Sequence, residues 1–173
     1  MTTQGTFSLG SVLRSGLIAG LVFAILEVVA AVVFSGPAAA FSPLRMIGAM
    51  ALGPEALDPR YSLIVAAGTG VALHLILSMV FALIFAGLIP VSFSTGTEVG
   101  LGMAYGAMVW LSNFYLIGPA LGWVWFAEQT NPIVQLAAHT IGFGAVLGWF
   151  RHHAWEVAEA HLDPEVHEYH ALN

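Results

Sequence analysis

The sequence predicts an all-α membrane protein, built as a four-helix transmembrane bundle with a short interfacial or re-entrant helix between the first two spans and an amphipathic C-terminal tail. Of the 173 residues, 58% are hydrophobic and only 8% are charged, whereas a soluble domain carries about a quarter charged residues. Four apolar stretches reach or exceed the roughly 18 residues that cross the hydrocarbon core. Proline, glycine and capping residues stand at their ends, as they do at helix ends.

The first two predicted spans are the most apolar. The first covers residues 12–34, is interrupted only by Arg14 and Glu27, and ends at the Ser-Gly-Pro sequence that follows it. The second covers residues 62–89, holds one histidine, His74, and stops at a proline. Neither stretch contains a further charged side chain, so both suit the interior of a bilayer.

The next two spans are framed by clearer start and stop signals. The third covers residues 99–117 and is predicted to break or kink where glycine and proline follow. The fourth covers residues 132–150 and carries the second isolated histidine, His139. Asn131 suits its N-cap, proline its first helical position, and Arg151 is predicted to close it.

The loop at 35–61 contains a short predicted helix. Ser42 is its predicted N-cap, Pro43 opens it, and Gly53 with the following proline closes it after about ten residues. That length is too short to span, so the segment is expected to lie on the membrane surface or to dip into it.

The chain is divided into a transmembrane domain over 1–151 and an acidic amphipathic tail over 152–173. The tail is predicted to be helical to Leu162 and to restart as a helix at Asp163. Its histidines alternate with acids, match no structural zinc spacing and predict a solvated, weakly acidic face; they are His152, His153, His161, His167 and His170.

Small residues recur at helical spacing. Gly16-x-x-x-Gly20 in the first span is echoed by Gly102-x-x-x-Gly106 in the third. Such patterns let helix backbones approach closely in lipid. The residues predicted to mediate helix packing are Gly16, Gly20, Gly102, Gly106, Gly144 and Gly148. The echo predicts two similar hairpins related by a pseudo-twofold axis along the membrane normal.

One polar side chain in each span is predicted to reach a common depth. With about 1.5 Å of rise per residue, Glu27, His74, Asn113 and His139 all lie roughly 18–23 Å from the face that holds the termini. In hydrocarbon such groups cost several kcal/mol unless they are paired. They are therefore expected to turn inward and meet, with the carboxylate accepting the imidazole N–H groups.

The layer of four polar residues leaves three interpretations open. It registers the helices through interhelical hydrogen bonds, it handles protons or ions, or it holds a non-covalent cofactor. In the last case His74 and His139 are the axial ligands of a b-type haem, or ligands of a chlorophyll-type pigment, and Gly70, Gly142 and Gly144 leave room for the macrocycle. The leading expectation is that no cofactor and no metal is bound.

Composition excludes several classes of function. There is no lysine and there are only four arginines, which argues against nucleic acid as a partner, since phosphates need clustered basic residues. The absence of cysteine excludes disulfides, thiol chemistry and covalent haem. No nucleophile constellation and no Gly-rich phosphate loop is visible, so the chain is predicted not to be an enzyme.

Several short motifs resemble the YagU-type family of small inner-membrane proteins. They are Leu17-Ile18-Ala19-Gly20-Leu21-Val22, the Ser42-Pro43 to Gly53-Pro54-Glu55 loop, His74-Leu75-Ile76-Leu77-Ser78-Met79-Val80-Phe81-Ala82, Gly106-Ala107 with Pro119, the position of His139, and Asp163-Pro164-Glu165. The resemblance covers residues 16 to 165. It implies a four-span fold with both termini in the cytoplasm, His74 and His139 as family positions, and a link to acid response.

These observations lead to a functional expectation. The chain is expected to be a multi-pass protein of a bacterial-type inner membrane, in contact with the lipid bilayer. It is expected to pack, without catalysis, beside other membrane subunits as an accessory component of a bioenergetic complex, or with copies of itself as a YagU-like homo-oligomer. The alternative is a proton- or ion-handling site, or a haem site, at the polar layer.

Overall fold

A computed structural model describes residues 8–89 and 94–162, with side chains described as far as Val157. Every secondary-structure element in these ranges is helical. The α-helices are α1 Leu9–Ser35, α2 Ser42–Leu52, α3 Leu63–Leu88, α4 Thr95–Ser112, α5 Gly118–Ala120, α6 Trp125–Gln129, α7 Pro132–Ala137 and α8 Val146–Leu162. Two π-helical segments, Asn113–Ile117 and Ala138–Ala145, join α4 to α5 and α7 to α8.

Three helical segments within the described ranges are long and apolar enough to cross a membrane. They are α1, α3 and the continuous segment Pro132–Val157, which combines α7, the second π-helical segment and α8. They correspond to the first, second and fourth predicted spans. Their outer faces carry exposed apolar side chains such as Val33, Ile64 and Ile141. The fold is thus all-helical and has the composition of a membrane protein.

Polar side chains cap all three of these segments at their start, and Ser8 caps α1 by accepting the backbone N–H of Ser11 at 3.1 Å. The hydroxyl of Ser62 accepts the backbone N–H of Val65 at the start of α3. The Asn131 side-chain oxygen accepts the N–H groups of Ile133 and Val134 at 3.0 and 3.2 Å. The predicted N-cap of the fourth span is therefore confirmed.

The third predicted span continues past the residues expected to break it. Helical backbone runs from Thr95 through the π-helical segment to Ala120, so Gly118 and Pro119 do not end the helix. Pro119 is the second residue of α5, and the continuous helix ends one residue later, at Ala120. The chain turns only at Gly122, whose φ of +78° favours glycine.

The fourth span does not close at Arg151, contrary to the prediction. α8 passes through this residue to Leu162, and the predicted boundary between the transmembrane domain and the tail falls inside one helix. The Arg151 side chain leaves its own helix and reaches Glu98 on α4 and the backbone carbonyl of Ile89. The tail helix predicted to restart at Asp163 lies outside the described residues.

α2 is present with nearly its predicted bounds, but its start differs. The N-cap position is Phe41, which makes no side-chain capping bond, and Ser42 is already helical. Ser42 is therefore not the N-cap, contrary to the prediction. The helix ends at Gly53, where φ is +91°.

Backbone contact fixes α2 against α3. A Cβ atom at Gly48 would overlap the carbonyl oxygen of Ala66, and one at Gly70 would overlap the carbonyl oxygen of Leu44. Gly70 thus serves the contact between the two helices. The short helix is packed on the bundle rather than detached from it.

Arg45 on α2 fastens the loop that leads to α3. Its guanidinium donates to the backbone carbonyls of Ala56, Asp58 and Tyr61 at 3.0, 2.8 and 2.9 Å. These bonds satisfy carbonyl groups of a loop that has little regular structure of its own.

The long helices form two antiparallel pairs. α1 packs on α3, and α4 packs on the segment from α7 to α8. Arg151 of α8 lies beside both Ile89, which follows α3, and Glu98, at the start of α4. The end of α3, the start of α4 and this part of α8 therefore meet at one end of the bundle.

The pairs meet in an apolar core at that same end. The residues buried there are Val12, Ala19, Ala82, Phe85, Tyr105, Val109, Phe143 and Leu147. The Tyr105 hydroxyl donates to the Phe81 carbonyl at 2.8 Å, so the one polar group of this cluster is satisfied. Toward the other end, the bundle opens into a cavity.

Candidate functional site

A cavity of about 320 Å³ lies between the helices and contains the predicted polar layer. Glu27 of α1, His74 of α3, Asn113 after α4 and His139 of the second π-helical segment all line it. The structure thus brings these four residues to one place. Most of the remaining wall is apolar, and its aromatic members are Phe23, Phe81, Phe114, Trp123, Phe126 and Phe143.

Glu27 is paired with a residue that the sequence analysis did not single out. The Gln135 side-chain nitrogen donates to Glu27 Oε2 at 2.9 Å. The other carboxyl oxygen, Oε1, is buried and has no hydrogen-bond partner among the described residues. The side chain as a whole is 8% exposed. The expected bonds from imidazole N–H groups to this carboxylate are not formed.

His74 bonds to the backbone of the neighbouring helix instead. Its Nε2 lies 2.8 Å from the carbonyl oxygen of Gly20. A carbonyl only accepts, so Nε2 carries the proton, and in the neutral ring Nδ1 has a free lone pair. This bond joins α1 to α3 at one of the glycines predicted to pack helices.

Ser78 lines the cavity one helical turn from His74 but is not arranged as a nucleophile. Its hydroxyl donates to the main-chain carbonyl of His74 at 2.7 Å. The proton therefore points at the backbone rather than at a basic ring nitrogen. No serine–histidine dyad of the catalytic kind is formed by this pair.

His139 has a similar arrangement on the opposite wall. Its Nδ1 donates to the carbonyl of Gln135, four residues earlier, at 2.8 Å. In the neutral ring Nε2 then keeps the free lone pair. Gln135 thus contacts both ionisable residues of this wall: its side chain bonds Glu27 and its backbone bonds His139.

Phe23 stands between the two histidines. Its ring centroid lies 5.1 Å from that of His74 and 4.6 Å from that of His139. Both imidazoles are thus packed against one phenyl ring, and a haem held by the two would have to fit beside that ring.

The glycines expected to make room for a macrocycle lie at helix contacts instead. A Cβ at Gly142 would meet Leu26 of α1 at 2.7 Å, and one at Gly144 would overlap the carbonyl of Gly102. Gly70 faces α2, as described above. None of these three glycines therefore opens space for a cofactor.

The glycines predicted to pack helices lie against neighbouring backbones or small side chains. Added Cβ atoms at Gly16 and Gly20 would come within 2.6 Å of Ala82 and 2.5 Å of Ser78, respectively. Those at Gly102, Gly106, Gly144 and Gly148 would overlap carbonyl oxygens across the contact between α4 and the π-helical segment with α8. Each pair of long helices is thus in close backbone contact.

Two residues of the site that sequence reasoning missed carry a recognisable signal. Phe23 and Gln135 stand four residues before Glu27 and His139, respectively. That spacing places each on the same helix face as the polar residue. A search of the inward faces, rather than of ionisable residues alone, would have included both.

The two tail histidines whose side chains the structure describes, His152 and His153, do not line this cavity. His152 is buried and lies 3.3 Å from Glu156, while His153 stacks on Trp149. The expected solvated face is therefore wrong for His152. The side chains of His161, His167 and His170 lie outside the described residues. No group of three metal-ligating side chains occurs in the part of the chain that the structure describes.

A second, shallower groove runs along the outside of α1 and α3. It measures about 280 Å³ and is lined by apolar side chains, among them Leu21, Val29 and Val71. His74 is the one residue that lines both this groove and the internal cavity. The cavity and the outer groove therefore approach each other at His74.

No family model, no curated protein and no solved structure matches this chain. The fold and the cavity are therefore the basis for a functional conclusion.

Proposed function

We propose that this chain is a four-span membrane protein that binds a small, largely apolar molecule in the cavity between its helices. The observation that carries the proposal is the cavity itself, with a buried carboxyl oxygen in its wall that has no hydrogen-bond partner in the described part of the chain. Pockets for small molecules are mostly apolar and hold a few polar groups that orient the ligand. An intramembrane ionisable residue is likewise a marker of function.

Three segments already have the length and composition of spans, and the proposal adds one more. This additional span is the third along the chain and consists of α4, the first π-helical segment and α5. Helical backbone from Thr95 to Ala120 is long enough to cross the hydrocarbon core. It runs antiparallel to its neighbours, and Glu98, its acidic residue in the first turn, is paired with Arg151. We place the protein in a bacterial-type inner membrane with both termini on the cytoplasmic side, and α2 at the membrane interface.

The proposal predicts that filling the cavity abolishes binding. Leu77 on α3 lines the cavity, whereas Leu83 on the same helix faces outward and does not. We expect 4-ethylphenol, a small aromatic molecule with one hydroxyl donor, to raise the unfolding temperature of the purified protein in a concentration-dependent way. Leu77→Trp is expected to remove that shift and Leu83→Trp to preserve it.

Two results would count against binding in the cavity. One is a wild-type protein whose unfolding temperature does not respond to the probe. The other is an equal response in the Leu77→Trp and Leu83→Trp proteins, because binding would then occur at a surface that both variants share.

A second candidate function is packing beside other membrane subunits or in a homo-oligomer. The observation that favours it is an outward small-residue face on α4: Cβ atoms added at Gly96 and Gly100 would meet no atom within 4 Å. Glycines four apart allow another helix to approach closely. Native mass spectrometry in mild detergent tests this role: a larger species that is lost in Gly100→Leu supports it, and a lone 18.3 kDa species argues against it.

A further inference from the structure

We infer that the molecule bound in the cavity is a lipophilic cation, namely an ammonium ion carried on an apolar body. This inference rests on the proposed function, because it assigns a chemical class to the guest of the same cavity. It follows from the unpaired atoms of the wall, from the absence of positive side chains in that wall, and from its aromatic surface.

Three ionisable residues line the cavity: Glu27, His74 and His139. Their unpaired nitrogen and oxygen atoms are all suited to accept hydrogen bonds. Glu27 Oε1 has no partner, while Oε2 already accepts a bond from Gln135. The ring N–H groups of His74 and His139 donate hydrogen bonds to backbone carbonyls. In the neutral rings this leaves lone pairs on His74 Nδ1 and His139 Nε2. A guest that satisfies these three residues must bring hydrogen-bond donors or positive charge. The Asn113 amide, which also lines the cavity, can both donate and accept.

Neither arginine nor lysine supplies Glu27 with a counter-charge in the cavity. Among the described residues that line it there is no arginine, and the sequence contains no lysine. The buried arginine, Arg151, is already engaged by Glu98 at 2.7 Å, and the Arg45 guanidinium bonds three loop carbonyls. A carboxylate in a low-dielectric site is stabilised when a cation pairs with it, and ligand counter-ions are a known use of such residues.

The aromatic wall reinforces the same choice. Phe23 lies between the two imidazoles, and Phe114 meets His139 edge-on, with the ring centroids 5.6 Å apart. The face of an aromatic ring is electronegative and attracts ammonium groups, most strongly where water is excluded. A cavity that combines aromatic rings with one carboxylate suits a substituted ammonium ion.

The outer groove gives the guest's apolar body a route from the lipid. Its lining is apolar apart from His74, the residue that it shares with the cavity. A cation with a hydrocarbon body partitions into the bilayer and reaches α1 and α3 from the side. Movement of His74 costs the bond from its Nε2 to the Gly20 carbonyl, so opening is opposed until a guest replaces that contact.

The test compares benzyltrimethylammonium with its carbon isostere neopentylbenzene, because the two differ in charge and scarcely in shape. Affinities are measured by titration of the full chain in a neutral maltoside detergent. We expect the cation to bind at least about tenfold more tightly than the isostere. Glu27→Gln is expected to weaken cation binding roughly 10- to 100-fold and to leave isostere binding unchanged.

Glu128→Gln is the matched control, since Glu128 is an exposed carboxylate of α6 that does not line the cavity. It should change neither affinity.

If the isostere binds as tightly as the cation, or if Glu27→Gln leaves cation affinity intact, the cation inference is overturned. Binding of the isostere that Leu77→Trp abolishes would still support the cavity. If neither molecule binds, the proposed function and this inference both fail. The affinities of the wild-type protein for the cation and for the isostere test the cation inference even if Glu27→Gln does not fold.

Discussion

Arg151 and Glu98 form an ion pair that is almost wholly buried, with side chains 1% and 0% exposed. Arg151 Nη2 lies 2.7 Å from Glu98 Oε2 and 3.0 Å from Oε1, and its Nη1 donates to the Ile89 carbonyl at 2.8 Å. The guanidinium also lies over the Phe85 ring, 4.4 Å from its centroid. One side chain of α8 therefore holds the end of α3 and the start of α4.

Removing one partner of this pair is expected to destabilise the protein strongly. Arg151→Met leaves the Glu98 carboxylate buried without its counter-ion, which costs about 3–5 kcal/mol. The double variant Arg151→Met with Glu98→Leu is expected to recover much of that loss, because no lone charge stays buried. Denaturant unfolding in detergent measures both. A single variant as stable as the wild type would show that the pair contributes little.

The contact between α4 and the π-helical segment is expected to tolerate no added methyl group. In Gly102→Ala the new Cβ would overlap the Gly144 carbonyl, and overpacking of this kind costs about 1–3 kcal/mol. Gly100→Ala, on the same helix, places its Cβ in open space and should be neutral or slightly stabilising. The comparison of their unfolding temperatures checks the prediction. Equal losses in the two variants would assign the effect to the helix rather than to the contact.

Arg45 is expected to control the accessibility of the loop before α3. Arg45→Gln removes the guanidinium that bonds the carbonyls of Ala56, Asp58 and Tyr61. Faster cleavage of this loop by an added protease is the expected result, since local opening exposes its backbone. Arg60→Gln is the control, because the hydrogen bonds of that exposed side chain go to the nearby Asp58 carboxylate. Similar cleavage rates in the two variants would contradict the role of Arg45.

Substitution of the two predicted capping residues, Asn131 and Ser42, is expected to change the stability of the protein by different amounts. Asn131→Ala removes a side-chain oxygen that accepts two backbone N–H groups and is expected to cost about 1 kcal/mol. Ser42→Ala should be close to neutral, because Ser42 is inside α2 and makes no capping bond. Thermal unfolding of both variants decides this. A larger loss from Ser42→Ala would place the cap where the sequence suggested it.

Local patterns predicted the helices well where one residue decides the outcome. Asn131 and the following proline predicted a helix start, and the structure confirms it. Local patterns failed where contact with a residue far along the chain determines the course of the helix. Arg151 suggested a helix end because a basic residue often follows a span, yet Glu98 draws it into the interior and α8 continues.

The polar layer shows the same division. Equal depth along each helix predicted that Glu27, His74, Asn113 and His139 approach one level, since depth follows from residue number. Their partners could not be predicted, because hydrogen bonds depend on helix rotation and on the backbone of neighbouring helices. Gln135, rather than a histidine, bonds the carboxylate.

By itself the sequence determined that this chain is helical and apolar enough for a membrane, because composition and run length decide which segments lipid can solvate. Only the tertiary structure decided which residues pair, as with Arg151 and Glu98, and that a cavity opens beside Glu27. The physical reason is range: hydrophobicity and helix caps act within one segment, whereas a hydrogen bond between helices requires the relative position of two of them.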